Sequence, residues 1–212
     1  MFLTFEGLDA SGKTTQARRA ADWLRARSGR PVHFIREPGG TAISERLREI
    51  LLDGRNLELT DLGELLLFSA SRAQLVHQTI IPALRRGEIV VCDRYYDSTT
   101  AYQGYGRGLD LEAVQFINRV ATEGTDPDLT ILVDISVDEI ERRMSRDGGR
   151  PDRMESAGAQ FYERVRQGYL TIAREHPGRY VVIDGMRSVE EIAQDIARVV
   201  EELHERLPRE AT

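Results

Sequence analysis

At 212 residues the chain is long enough for one domain with a substantial core, and 41% hydrophobic with 30% charged residues is ordinary for a globular protein. A formal charge of −6 argues against a general nucleic-acid binder, so any anionic ligand must be met by a local cluster of cations. The single cysteine, Cys92, excludes an internal disulfide, the scattered histidines offer no imidazole cage, and no apolar run approaches the ~20 residues of a membrane span, which makes a cytoplasmic protein the expectation.

Short apolar runs alternate with longer helical patterns, which predicts an α/β fold: about five parallel strands flanked by helices. The first strand, Phe2–Glu6, lies in an N-terminus too soon interrupted to read as a signal peptide. It runs into Gly7-Leu8-Asp9-Ala10-Ser11-Gly12-Lys13-Thr14, a full match to the phosphate-binding P-loop pattern G-x-x-x-x-G-K-[ST]. A helix follows from Lys13 to about Arg27, with Ala17, Ala20, Ala21 and Leu24 on one stripe. In that setting the loop's backbone N–H groups and the helix N-terminus meet phosphate oxygens, Lys13 bridges the β- and γ-phosphates, and the Thr14 hydroxyl ligates Mg²⁺. Lys13 is the only lysine in the chain; the other 28 of its 29 basic residues are arginines. A compact ammonium folds back along a triphosphate where a guanidinium does not fit, so its survival at this one position points to chemistry.

Val32–Arg36 reads as the second strand. Thr60-Asp61 opens a long helix carrying Leu65, Phe68, Arg72 and Leu75, which Pro82 kinks or restarts. The third strand, Ile89–Asp93, ends in Asp93-Arg94-Tyr95. Asp93 is placed to hold Mg²⁺ as a Walker-B carboxylate does, or else to cap a turn, whereas Cys92 reads as a small buried apolar residue. Arg94 suggests a second anion in the same crevice, or a strand-end ion pair. Leu129–Asp134 is the fourth strand. Ser145–Ser156, dense in arginine with Gly148, Gly149 and Pro151, is either a solvated charge run or a mobile lid over phosphates. Tyr180–Asp184 is the fifth strand, the stripe Val189, Ile192, Ile196, Val199 and Leu203 marks the last helix, and the tail after Pro208 reads as frayed.

The P-loop alone does not separate GTPases, motors and kinases. Neither Asn56 nor Asn118 is followed by lysine, which disfavours a guanine-reading N-K-x-D segment. Three further segments decide more. Arg36-Glu37-Pro38-Gly39-Gly40-Thr41, Leu66-Leu67-Phe68-Ser69-Ala70-Ser71-Arg72-Ala73-Gln74 and Asp93-Arg94-Tyr95-Tyr96-Asp97-Ser98-Thr99-Thr100-Ala101-Tyr102-Gln103 together resemble the thymidylate kinases, in the right order and at the right intervals. The resemblance implies a P-loop kinase fold with a short arginine-rich lid, transfer of the γ-phosphoryl of ATP to dTMP, Mg²⁺ as cofactor, no nucleic-acid or membrane partner, and a homodimer formed through the Asp61–Leu84 region.

It also implies roles for residues. Phe68 and Arg72, four apart on one helix face, become a platform and a donor for the thymine base, although periodicity alone favours Phe68 as core. Arg94 clamps the acceptor phosphate, and Ser98 and Thr99 offer hydroxyls to the base edge. Tyr102 sits under the deoxyribose, Gln103 lies near the base, Asp9 meets a nucleotide 3′-hydroxyl, and Glu37 lies near the acceptor. Arg142 stacks on adenine. Because Ala10 stands where some members carry arginine, the lid supplies that cation, with Arg146 first, then Arg150 or Arg153. Ile43-Ser44 departs from the glycine expected in the turn after E-P-G-G. The nearest rival is a deoxynucleoside kinase using Glu37 as general base toward a neutral hydroxyl; a nucleotide-binding switch without a small-molecule acceptor is the rival from another class.

Overall fold

The structure, a computed structural model, describes residues 1–147 and 158–206. Arg150, Arg153, most of the expected lid and the tail after Pro208 lie outside the described residues. Five strands form one parallel sheet in the order β2-β3-β1-β4-β5: β1 (Phe2–Glu6), β2 (Val32–Arg36), β3 (Ile89–Asp93), β4 (Leu129–Asp134) and β5 (Tyr180–Asp184). All five coincide with the apolar runs of the sequence. β1 and β3 are buried along their whole length, which is why they carry no alternation.

Leu3, Phe5, Val91, Ile131 and Val133 face helices α1 (Lys13–Arg27) and α9 (Val189–Arg206). The predicted stripe of α1 is buried, and that of α9 runs through Ile192, Ile196, Val200 and Leu203. Val189, at the helix start, stays exposed while its carbonyl accepts from the Gln16 amide. On the opposite face Phe2, Val90 and Cys92 pack with Leu75, Val76, Ile80 and Ala83, and Leu132 packs with Phe161, Tyr162, Val165 and Tyr169.

α2 (Ala42–Leu52) begins at Thr41, whose hydroxyl accepts the Ser44 N–H, so Ile43-Ser44 is the first turn of a helix rather than a loop needing glycine. α3 (Asp61–Leu75), capped by Thr60, passes through a π-helical stretch at Val76–Ile80 into α4 (Ile81–Arg85). The wider turn makes room for Pro82, which lacks an N–H and would crowd the preceding turn of a regular helix. A second π stretch, Thr100–Gly106, extends α5 (Tyr96–Thr99) and precedes α6 (Leu111–Thr122). α7 (Val137–Asp147) and α8 (Ala159–Glu175) follow β4. The strand order reverses about β1, and the register aligns Phe5 and Arg36 with Asp93, so the carboxyl ends of β1, β2 and β3 open on one crevice.

Candidate active site

On one side of the crevice the loop between β1 and α1 turns through left-handed backbone at Ala10 (φ 57°) and Gly12 (φ 89°). A side chain at Gly7 (φ 141°) would put its Cβ 2.5 Å from the Val133 carbonyl oxygen, so the loop hugs β4 there. Lys13 is buried; its ammonium donates to the Leu8 carbonyl at 3.3 Å and lies 4.0 Å from Asp9. Burial and then Arg94 hold that ammonium below its usual range, against the opposing pull of Asp9 and Asp93. Thr14 donates its hydroxyl to Asp93 Oδ2 at 2.5 Å, joining the two residues expected to hold metal. Asp93 Oδ1 is buried and has no protein partner.

Ala10, Gly12, Lys13 and Thr14 line an open cavity with Arg143 and Arg146 of α7. Arg146, expected to supply the cation that Ala10 lacks, thus lines the same cavity as Ala10. Arg142 instead makes two 2.6 Å hydrogen bonds to Glu139. The neighbouring Arg143 donates to the carbonyls of Ala10 (3.1 Å), Ser11 (3.3 Å) and Gly185 (3.0 Å), fastening α7 to the phosphate loop.

Across the crevice lies a cavity of about 110 Å³, and every residue expected on the acceptor side lines it: Asp9, Glu37, Phe68, Arg72, Arg94, Ser98, Thr99, Tyr102 and Gln103. Phe68 is half-buried at its wall rather than part of the main core clusters. Arg94 has left-handed backbone (φ 70°), strained for a side chain of its size, which turns it back over the P-loop. Its guanidinium donates to Asp9 (2.5 Å), the Gly7 carbonyl (3.0 Å), and the hydroxyls of Ser98 (3.1 Å), Tyr102 (3.2 Å) and Tyr169 (3.2 Å). Asp9 also accepts from the Tyr102 hydroxyl at 2.9 Å, so one carboxylate links the two halves of the crevice.

Arg72 is 2% exposed and donates to Glu37 (2.8 Å), Asn118 (3.1 Å), Thr99 (2.8 Å) and the Tyr95 carbonyl (3.3 Å). Burial pushes the Glu37 carboxyl up to about 7 even though Arg72 pulls it down, and its Oε1 has no partner. Gln103 donates to the fully buried Glu64 at 2.7 Å.

A family model described as thymidylate kinase matches residues 5–196. The chain belongs to the thymidylate kinase family. Thymidylate kinase of Pelotomaculum thermopropionicum is 47% identical over 202 residues, covering 95% of this chain and 93% of that one. The Chlorobaculum tepidum enzyme is 46% identical over 211 residues, covering 96% and 98%. Among solved structures, thymidylate kinase from Ehrlichia chaffeensis superposes with a TM-score of 0.77 at 35% identity, covering 95% and 98% of the two chains.

Within this thymidylate kinase crevice the hydroxyls of Ser98 and Thr99 line the acceptor cavity and also have protein partners: Ser98 donates to Glu6 at 2.6 Å, and Thr99 accepts from Arg72. The sequence reading also passed over Arg48, Leu52 and Tyr95, which line the acceptor cavity, and Glu6 and Tyr169 behind it. Arg48 and Leu52 are four apart on α2, a spacing that becomes visible once Thr41 is recognised as a cap. Tyr162, Val165 and Tyr169 repeat at helical intervals and mark an inward face of α8. Burial, and then the neighbouring Asp97, push the Glu6 carboxyl up to about 7.

Proposed function

We propose that two nucleotides meet end to end across the P-loop, ATP on the side of Lys13 and Arg146 and dTMP in the cavity between Phe68 and Arg94. The reaction is the ATP-dependent phosphorylation of dTMP to dTDP, with ADP as the other product. The observation that carries the two-sided arrangement is the position of Asp9: it belongs to the P-loop, lines the acceptor cavity, and holds both Arg94 and Tyr102.

The attacking oxygen is a phosphate oxygen, already anionic, so no general base is needed. The obstacle is repulsion between two polyanions. Lys13 and Arg146 neutralise the donor, Arg94 holds the acceptor phosphate, and together they fix an in-line approach. Phe68 stacks on the base, Arg72 donates to it, and Gln103 supplies a further polar contact. Tyr102 packs under the deoxyribose, Glu37 anchors Arg72, and Arg142 rests against adenine. Thr14 and Asp93 fit Mg²⁺: they are adjacent, both present oxygen, and the buried Oδ1 of Asp93 has no protein hydrogen-bond partner. When bound there, Mg²⁺ screens the phosphate charge.

We read the chain as one kinase domain in which the 145–156 segment closes over the phosphates, and the consumption of ATP supports the cytoplasm as its setting. A homodimer is proposed from the apolar side chains left outside: Leu62 and Leu66 of α3, and Phe116 and Val120 of α6, which packs on α3, are each at least half exposed. Light scattering at assay concentration tests this; a monomer mass would reject it. The site assignment is tested by offering ATP and Mg²⁺ with dTMP and, separately, with thymidine. It predicts dTDP from dTMP and no product from thymidine; efficient phosphorylation of thymidine would favour the rival in which Glu37 serves as base.

A further inference from the structure

The crevice holds a buried carboxylate that the reaction as described leaves without a task. Glu6 ends β1, directly before the P-loop, and is 0% exposed. Its Oε1 accepts the Tyr95 backbone N–H at 2.7 Å. Its Oε2 accepts the hydroxyls of Ser98 at 2.6 Å and Tyr169 at 2.9 Å. Those two hydroxyl oxygens in turn accept from one nitrogen of Arg94, at 3.1 and 3.2 Å, and they lie 2.7 Å from each other. A hydroxyl whose hydrogen is taken by a carboxylate shows only lone pairs to its other neighbours.

We infer that Glu6 is a positioning residue for Arg94: by drawing the Ser98 and Tyr169 hydrogens toward itself, it makes both oxygens acceptors that fix the guanidinium facing the acceptor cavity. The inference rests on the reading of Arg94 as the clamp for the dTMP phosphate. It explains why a carboxylate is kept in a place where burial and Asp97 both oppose its charge. A hydrophobic residue would pack there without that cost, but would leave the two hydroxyls free to turn their hydrogens toward Arg94.

Glu6→Gln is the informative change. The Tyr95 N–H needs an acceptor, so the amide oxygen stays with it and the NH₂ group faces Ser98 and Tyr169. A donor then stands where both hydroxyls had donated, and they rotate against Arg94. Steady-state kinetics at pH 8, above the value near 7 to which Glu6 is raised, keep the wild-type carboxylate ionised. Expected is a KM for dTMP raised about tenfold or more, as for a lost hydrogen bond to a charged group. The KM for ATP and the affinity for thymidine, which has no phosphate, stay within about twofold, the scatter of uncoupled changes. Tyr169→Phe and Ser98→Ala each raise the KM for dTMP, and adding Glu6→Gln to Tyr169→Phe costs less than it does alone.

A wild-type KM for dTMP in Glu6→Gln, or an equal loss for thymidine and dTMP, would overturn the inference. Should Glu6→Gln fail to fold, the Ser98→Ala/Tyr169→Phe double variant carries the test: selective loss of dTMP supports the relay, and an unchanged KM rejects it. Arg94→Ala separates the two levels. If it leaves the preference for dTMP over thymidine intact, the clamp itself falls and the inference with it. If it abolishes the preference while Glu6→Gln does not, only the role of Glu6 falls.

Discussion

The donor and acceptor sides of the crevice are built on different principles. The P-loop side is mostly backbone turned by glycine, with a few cations reaching into an open cavity from Lys13 and α7. The acceptor side is a closed set of side chains, each spent on another: Arg72 on Glu37, Asn118 and Thr99; Arg94 on Asp9, Ser98, Tyr102 and Tyr169. On the proposed reading a triphosphate is met by N–H groups and a few cations, whereas a particular nucleoside monophosphate is met by groups whose directions were fixed beforehand. Damage should therefore appear mainly in turnover on the first side and in selective affinity on the second.

The largest effect is expected at Lys13. Lys13→Ala removes the ammonium proposed to bridge the β/γ-phosphates, and kcat should fall by about a thousandfold, the scale of losing a group that stabilises developing charge. A fall of less than tenfold in a rapid-quench assay would show that the loop backbone suffices. Next is Arg146. Arg146→Ala should lower kcat by about a hundredfold with little change in the KM for dTMP, on the lower side of what an arginine supplies in phosphoryl transfer. Ala10→Arg in that background should restore part of the loss, because position 10 already has left-handed backbone with a side chain and no new strain is added. An Arg146→Ala variant with wild-type kcat would remove this residue from the donor side.

The smallest effect concerns stability. Glu37 has its carboxyl raised from 4.5 to about 7 by burial. Between those values the folded protein holds a proton that the unfolded chain has released, so stability is fully present below about pH 4.5 and is lost as pH rises through about 7. Glu37→Gln should flatten that slope in urea unfolding series at pH 5 and pH 7. Parallel slopes for the two proteins would mean that Glu37 is ionised in the folded state throughout.

The two sides also differed in how far the sequence revealed them. The five strands could be read because burial on both faces demands unbroken β-branched and aliphatic runs, and the P-loop because its glycines and lysine are contiguous. The acceptor residues could be named through the family resemblance, and they do gather around one cavity. Their partners could not be read. Glu6 bonds to residues 92 and 163 positions away, and nothing local in Phe2–Glu6 marks a carboxylate that will meet two hydroxyls. The protein partners of Ser98 and Thr99 arrive from β1, α3 and α8. Arg142 and Arg143 are adjacent in sequence, but helical rotation brings only the second to the phosphate loop.

The central claim is that Arg94 reads the phosphate of the acceptor. Titration calorimetry of dTMP and thymidine into wild type and Arg94→Ala tests it most directly. Wild type should bind dTMP at least about tenfold more tightly than thymidine, as a charge-assisted contact requires, and that gap should close in the variant while thymidine affinity holds. An Arg94→Ala protein that keeps the full gap would contradict the account.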